Sequence, residues 1–328
     1  MRSFHGKERM KYLFFDIECA GVYKTKAKIC AFGYCLTDEK FNLIEKRDIL
    51  INPQGGFHLT DRKGRQGLVL PYEYEKFKSY PTFPEYADEI YALLQDKDTL
   101  VCGHASMNDV KYLNLESQRF RLPSFCFSFT DTQFIYMNKI GEFSRQFGLG
   151  TIAEALGVEF TAHKAADDAY ATMKVAEAIC KEEGLSLLGV LEKYGIDAGR
   201  IENYEVTQSS SVLSRKAAAE SLARKEKIER ARAAFHEYVD KHKRYRNKNG
   251  AKKFLSVSFS KKLEQNVELC QELCDDLFKQ GGFYCFRADE CNRFICEENE
   301  TGPVVDRMRE KGVEVLTPRQ LKDLLQGE

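Results

Sequence analysis

The sequence predicts a mixed α/β protein made of two folded parts joined by a basic helical segment. Three observations predict it. Apolar strand-like runs come first and then alternate with helical spacings, the order expected of a mixed sheet with flanking helices. Around Gln208-Ser209-Ser210-Ser211 the composition shifts toward Ala, Lys, Glu and Arg. From Lys253 onward the pattern reads strand, helix, two strands, helix, strand, helix, which makes a second compact unit. The expected boundaries are 1–200, 201–250 and 251–328. The 328 residues suffice for a domain of ordinary size plus a smaller one.

Residues 11–18 are a strand by composition, ending in YLFFDIE, and Lys28–Leu36 is a second apolar run. Thr37–Lys40 makes a turn, and Leu43–Ile51 alternates like a third strand, so the first three strands read as an antiparallel meander. Residues 52–84 are loop-rich, carrying Gly55, Gly56, Gly64, Gly67, Pro71 and Pro81. Phe83, Tyr86, Ile90 and Leu93 give helical spacing. Leu100–His104 is a short strand feeding a helix from about Met107, and the apolar run Phe125–Phe129 precedes Asp131-Thr132. Leu149–Leu156 and Ala165–Cys180 are helical, the second with Ala169, Met173, Ala176 and Ile179 on one stripe. Ser214–His242 is an amphipathic helix, with Ile228, Ala231, Phe235, Tyr238 and His242 at three-four spacing. It reads first as a solvated connector docked by one stripe, and second as an arm that holds nucleic-acid phosphates.

Hydrophobic residues make up 43% of the chain, which excludes global disorder. The formal net charge is zero, but it is unevenly spread. Residues 213–249 carry 12 Lys and Arg against 5 Asp and Glu, whereas 250–328 carry 12 against 15. A basic segment therefore lies between two acidic ones. The N-terminus is polar and runs straight into a strand, with no secretory leader, and no apolar run approaches a membrane span. The 11 cysteines are read as reduced thiols of a cytosolic, cytoplasmic protein. Cys270, Cys274, Cys285, Cys291 and Cys296 cluster late, but their spacings match no familiar zinc pattern and no His lies among them; they are read as buried thiols.

The chemistry begins at Asp16 and Glu18. On a strand, residues i and i+2 share a face, so two like charges point together. Burying both unpaired is costly, and a hard divalent cation with oxygen ligands removes that cost. From this stretch alone, two solvated acids at a strand end are the preferred reading. Asp109, taken alone, is an acid in the first turn of a helix, favoured there by the dipole. His163, five positions before Asp168, is by itself an ordinary surface pair.

Taken together and in order, these residues resemble the DEDDh exonucleases, which include the proofreading epsilon subunits of bacterial DNA polymerases, oligoribonuclease and ribonuclease T. The resemblance covers about residues 11–182. It rests on the DxE ending the first strand, the H…D segment His104–Asp109, and H-x-A-x-x-D from His163 to Asp168. Asp131-Thr132 and LGTIAEALGV at 149–158 stand in the connecting positions. The resemblance implies a ribonuclease-H-like fold, two divalent ions (Mg²⁺ or Mn²⁺) held by Asp16, Glu18, Asp109 and Asp168, and His163 as general base. It further implies 3′→5′ hydrolysis of nucleic acid to nucleoside 5′-monophosphates, and a terminal-nucleotide pocket involving Cys19, Ala20 and His104. Cys19 stands where the family usually has Thr. The middle motif is usually H-N-x-x-F-D, and here Ala105 replaces the Asn and Asn108 the Phe. Of the adjacent acids Asp167 and Asp168, the motif's register selects Asp168.

Residues 252–326 resemble a BRCT domain through the βαββαβα order, Gly281-Gly282 after the first helix, and KGVEVLTP at 311–318. No Trp is present for the last helix, where Leu321 stands in. That resemblance implies docking to a protein or DNA partner, with phosphate binding by Ser258 or Ser260 and Arg307 or Arg309, although Lys261 occupies the usual Gly position. The expected function is thus a metal-dependent 3′→5′ exonuclease. DNA is favoured over RNA because BRCT modules usually accompany DNA transactions. An exoribonuclease of the same family and a silent end-binding scaffold are the alternatives.

Overall fold

The computed structural model describes residues 10–57, 70, 72–159 and 164–327. The chain divides into two compact units, 1–217 and 218–328.

In the first unit the strands are β1 (Lys11–Tyr23), β2 (Lys26–Asp38), β3 (Leu43–Leu50), β4 (Thr99–Gly103) and β5 (Phe127–Asp131). The helices are α1 (Phe83–Leu94), α2 (Met107–Arg119), α3 (Thr132–Ile140), α4 (Leu149–Ala155), α5 (Ala165–Glu183) and α6 (Leu187–Lys193). Two short pairings follow: β6 (Ile196–Asp197) with β9 (Ser210–Ser211), and β7 (Gly199–Glu202) with β8 (Glu205–Thr207). The main sheet has seven strands in the order β3-β2-β1-β4-β5-β7-β8. β1, β2 and β3 pair antiparallel, as the meander predicts, while β1, β4 and β5 run parallel. The hairpin of β7 and β8, with α3 and α6, was not foreseen from sequence; short strands bearing Arg200, Glu202 and Glu205 give no apolar alternation to read.

The two faces of β1 explain why the sheet places the acids as it does. Leu13, Phe15 and Ile17 pack with Phe83, Ile90, Val110 and Leu113 beneath α1 and α2. Tyr12 and Phe14 pack on the other face with Ala169, Met173 and Ala176 of α5. Continuing that second face by the two-residue period, Asp16 and Glu18 point toward the start of α5. Register shifts interrupt the β1–β2 ladder at Cys19, and such irregularities re-aim side chains at a strand's end.

The helix α7 (Val212–His242) crosses into the second unit at Ala218. Its Phe235 and Val239 are buried in that unit's core with Leu255, Val257, Leu273 and Leu277. The segment read as a connector therefore supplies core side chains. The unit continues with β10 (Ser256–Phe259), α8 (Val267–Lys279), β11 (Phe283–Tyr284), β12 (Arg293–Ile295), α9 (Pro303–Glu310), β13 (Glu314–Leu316) and α10 (Pro318–Gln326). Its sheet is all parallel, in the order β11-β10-β12-β13. Leu321 is fully buried on α10. All eleven cysteines are free thiols. Among the described residues no helix is long and apolar enough to cross a membrane.

Candidate active site

The site is built on a row across three strands. In register, Asp16 of β1 faces Gly33 of β2, and Gly33 faces Asp48 of β3. Over Gly33 sits the first turn of α5. A Cβ at Gly33 would lie 2.0 Å from the Ala165 carbonyl carbon and 2.1 Å from the Ala166 nitrogen, so only glycine lets the helix start descend this close to the sheet. Asp48 accepts a hydrogen bond from Ala166 N–H at 3.2 Å. The Tyr72 hydroxyl donates to Asp48 at 3.0 Å and accepts from Ala165 N–H at 3.0 Å. These contacts satisfy orphan N–H groups at the helix start and set anionic charge against its positive end.

Thus fixed, α5 delivers Asp168 to β1. Asp16, Glu18 and Asp168 each offer a carboxylate oxygen, and these atoms lie within 4.8 Å of one another. Asp167 is directed elsewhere: it bonds Lys46 at 2.5 Å and lines a cavity of about 1050 Å³ with Tyr170 and Lys174 on α5. The two adjacent acids thus point to different places, Asp168 to the carboxylate cluster and Asp167 to Lys46.

Asp109 is buried in the first turn of α2; it is not one of the three acids whose oxygens lie within 4.8 Å, but it is close enough for its charge to act on Asp16 and that of Glu18 to act on it. Its placement depends on Asp131, which accepts from Ala105 N–H and Ser106 N–H, each at 3.0 Å, and from Gln133 N–H at 2.9 Å. One carboxylate thus caps α3 and pins the turn that opens α2. Ala105 is held at φ 51°, the left-handed region where Asn is at home and Ala is strained by about 1–2 kcal/mol. This is where the DEDDh pattern usually has Asn, so the departure costs backbone strain rather than a chemical group.

The electrostatics follow from burial. Desolvation drives Asp16 well above the ordinary carboxylate range, with Asp109, Glu18, Asp168 and Asp48 adding like-charge repulsion. Burial, then Asp168 and Asp48, pushes Glu18 up to about 7. Asp109 is also driven up by burial and by Asp131, while backbone N–H groups of its own residue and of Ile17 pull back. Asp48 is raised by burial against the Tyr72 hydrogen bond. Among the described residues no Lys or Arg forms an ion pair with Asp16, Glu18 or Asp109. Carboxylates this crowded are relieved by taking up protons or by a cation placed between them. An all-oxygen donor set fits a hard divalent ion.

His163 lies outside the described residues. The other expected site residues are placed as follows. His104 has both ring nitrogens engaged inside the protein: Nε2 lies 3.1 Å from the Phe147 carbonyl and Nδ1 2.9 Å from Thr132 Oγ1. Burial lowers its pKa, so the neutral ring ties the turn at Gly103 to α3. Ala20 is buried among Cys30, Leu70 and Phe77, and Cys19 is half-buried at the ladder irregularity. In the second unit Ser258 is buried, Ser260 donates to Glu300 at 2.8 Å, and Arg307 lies 3.8 Å from Asp289. A carboxylate thus occupies the partner position of the Ser260 hydroxyl, and Arg309 lies beside Asp306.

Sequence reading missed Asp48 and Tyr72. Asp48 interrupts the apolar alternation of β3, and only its cross-strand register through Gly33 reveals it. Tyr72 lies in an irregular stretch where no periodicity marks it.

The family model described as Exonuclease matches residues 13–176, half of the chain, and the chain therefore belongs to the exonuclease family. It is an enzyme of the phosphodiester-hydrolysing class. No curated protein matches the sequence significantly. Among solved structures, a 3′-exonuclease described as recognising the 3′ end of a histone mRNA stem-loop is 14% identical, with 62% of this chain and 71% of that one covered and a TM-score of 0.48. A full-length 3′-exonuclease is 15% identical over 62% of this chain and 92% of that one, with a TM-score of 0.48. Exonuclease I of E. coli, in complex with an oligonucleotide, is 18% identical over 57% and 43%, with a TM-score of 0.43. The chain spans less than half the length of that exonuclease I chain. None of these three TM-scores reaches 0.5, and the fold rests on the sheet described above.

Proposed function

We propose that this protein is a 3′→5′ exonuclease that shortens nucleic acid from its 3′ end and releases nucleoside 5′-monophosphates. The observation that carries the proposal is the convergence of half-buried Asp16, Glu18 and Asp168, whose carboxylate oxygens lie within 4.8 Å of one another, with buried Asp109 close by. Asp16, Glu18, Asp109 and Asp168 are assigned as ligands for two divalent cations, Mg²⁺ or Mn²⁺. Bound there, such ions supply activation of water near neutral pH and charge relief at the leaving 3′ oxygen. The protein's own part is to hold the carboxylates in place: Gly33, Asp48 and Tyr72 fix the α5 start, and Asp131 fixes the α2 start. His163 is assigned as the general base, because an imidazole takes a proton in the physiological range. The hydrophobic wall of β1, α1 and α2 behind Asp16 keeps bulk water from one side of the cluster and strengthens its field.

DNA is favoured over RNA as the substrate. That choice rests on reading 251–328 as a BRCT-like targeting module, an assignment supported by the parallel four-stranded sheet and the βαββαβα order. In this reading residues 1–200 are catalytic and the segment 201–250 connects and helps build the module. End-labelled single-stranded DNA and RNA, incubated with Mg²⁺ or Mn²⁺ and in parallel with EDTA, test the assignment. A ladder growing from the 3′ end, on DNA and only with metal, is expected. A ladder on RNA alone would move the substrate to RNA, and no product on either would overturn the reading.

A further inference from the structure

The second unit carries a basic and aromatic surface that the nuclease site does not use. Residues 241–254, KHKRYRNKNGAKKF, contain seven Lys and Arg and no acid. Lys241 and Lys243 are paired one turn back along α7, with Glu237 and Asp240. Arg244, Arg246, Lys248, Lys252 and Lys253 form no ion pair among the described residues. Five uncompensated cations on ten consecutive residues are costly to hold together in a folded loop, and a polyanion relieves the repulsion.

The loop is firmly seated. Asn247 N–H donates to the Phe278 carbonyl at 2.9 Å and Lys252 N–H to the Gln280 carbonyl at 2.8 Å. A Cβ at Gly250 would fall 2.3 Å from the Gln280 carbonyl oxygen. The cations are therefore presented on an ordered backbone. Aromatic rings are interleaved with them. Phe254 is 80% exposed and Tyr245 65% exposed. The Arg246 guanidinium lies 5.3 Å from the centre of the Phe283 ring, that of Arg244 lies 4.8 Å from Tyr245, and the Lys253 ammonium lies 5.1 Å from Phe254. Lys243 and Arg246 line, with Phe283 and Phe286, a cavity of about 280 Å³.

We propose that this surface binds single-stranded nucleic acid, the basic groups following phosphates and Tyr245, Phe254 and Phe283 stacking on bases. Two features favour a single strand over other anionic partners. Unpaired bases expose the π-faces that stack on such rings, which duplex DNA keeps internal. Cations and aromatics alternate residue by residue, in Arg244-Tyr245-Arg246 and Lys253-Phe254, instead of separating onto two faces as in a membrane-surface helix. The choice of nucleic acid draws on the nuclease reading, but binding is measured without turnover, so either claim fails independently of the other.

The test uses the full-length chain in EDTA and a fluorescent dT oligonucleotide, with anisotropy followed from about 50 to 200 mM salt. Five phosphate contacts on a single strand give a log–log salt slope of about −3.5. Arg244→Glu/Lys248→Glu/Lys253→Glu, three changes at exposed positions, is expected to bring that slope near zero and weaken binding more than about tenfold. Phe254→Ala is expected to weaken binding about tenfold with the slope unchanged, because stacking is insensitive to salt. Unchanged circular-dichroism melting establishes that both variants are folded. Wild-type affinity and slope in the triple variant overturn the proposal. So does equal loss of binding to phosphatidylserine vesicles without a preference for the oligonucleotide, which would make the patch a membrane or general polyanion surface.

Discussion

Replacing Gly33 with alanine puts a methyl group where the start of α5 already is. The nearest obstacles are all backbone: the Ala165 carbonyl carbon at 2.0 Å, the Ala166 nitrogen at 2.1 Å and the Ala165 oxygen at 2.4 Å. Ordinary contact begins at 3.4 Å, so the helix start must withdraw by about 1.4 Å or the strand must bend by as much. Backbone held by a sheet on one side and a packed helix on the other yields at a cost of about 1–3 kcal/mol. The Asp48 bond to Ala166 at 3.2 Å and the Tyr72 bond to Ala165 at 3.0 Å then lengthen beyond hydrogen-bond range. Asp168 rides on the same first turn and moves away from Asp16 and Glu18. A misplacement of about 1 Å in a catalytic group costs on the order of a hundredfold in rate. We therefore expect Gly33→Ala to stay folded with a lowered melting temperature, to bind Mn²⁺ more weakly by calorimetry, and to cut end-labelled oligonucleotide about a hundredfold more slowly. Wild-type metal affinity and rate in a folded Gly33→Ala protein would refute the argument that the α5 approach over Gly33 builds the site.

Three further outcomes are expected. Glu18 titrates at about 7 when folded and near 4.5 when unfolded, so the folded state holds its proton more tightly. Stability from this group is then highest at low pH and falls as pH rises between about 4.5 and 7, by on the order of 3 kcal/mol. Asp16 and Asp109, raised in the same direction by burial, add to the loss, and a divalent cation opposes it. The gain in melting temperature on adding Mg²⁺ should grow from about pH 5 to pH 8, and a gain independent of pH would count against the carboxylate cluster as the binding site. Tyr72→Phe removes a hydroxyl that serves both Asp48 and the Ala165 N–H, and should lower unfolding free energy in urea by about 1–3 kcal/mol; no change would show that water replaces it freely. In the second unit, Glu264 is buried and accepts from His236 at 2.8 Å, from the Tyr284 hydroxyl at 2.6 Å and from Arg232. Glu264→Ala leaves these groups without their acceptor and should cost about 3–5 kcal/mol, read as faster hydrogen exchange across 232–239 and 255–259; unaltered exchange would show that Glu264 does not hold α7 to its unit.

The parts of this structure legible in the sequence are those governed by short-range periodicity. The β1–β3 meander, α1, α2 and α5 follow from apolar spacing, and the strand and helix order expected after Lys253 is the order of β10 to α10. The pairing of Asp16 with Glu18 is legible because a strand repeats every two residues. Their convergence with Asp168 is not a property of spacing, and the motif order supplied it. What stayed hidden depends on long-range register. Asp48 matters because Gly33 lies between it and Asp16, a relation among three strands that no local pattern encodes. Tyr72 acts from an irregular segment through a single hydroxyl. The docked stripe of Ser214–His242 was legible at Phe235, whereas Val239 lies off that stripe and its burial depends on the sheet of the second unit. His104 was expected to face substrate, but Thr132 and the Phe147 carbonyl engage both its nitrogens.

Anomalous scattering from crystals soaked in Mn²⁺ is the most direct probe of the carboxylate cluster. Density is expected among Asp16, Glu18 and Asp168, with loss of that density in Asp168→Asn. Manganese bound only elsewhere on the chain, or no manganese in crystals whose carboxylates stand as described, would contradict the account.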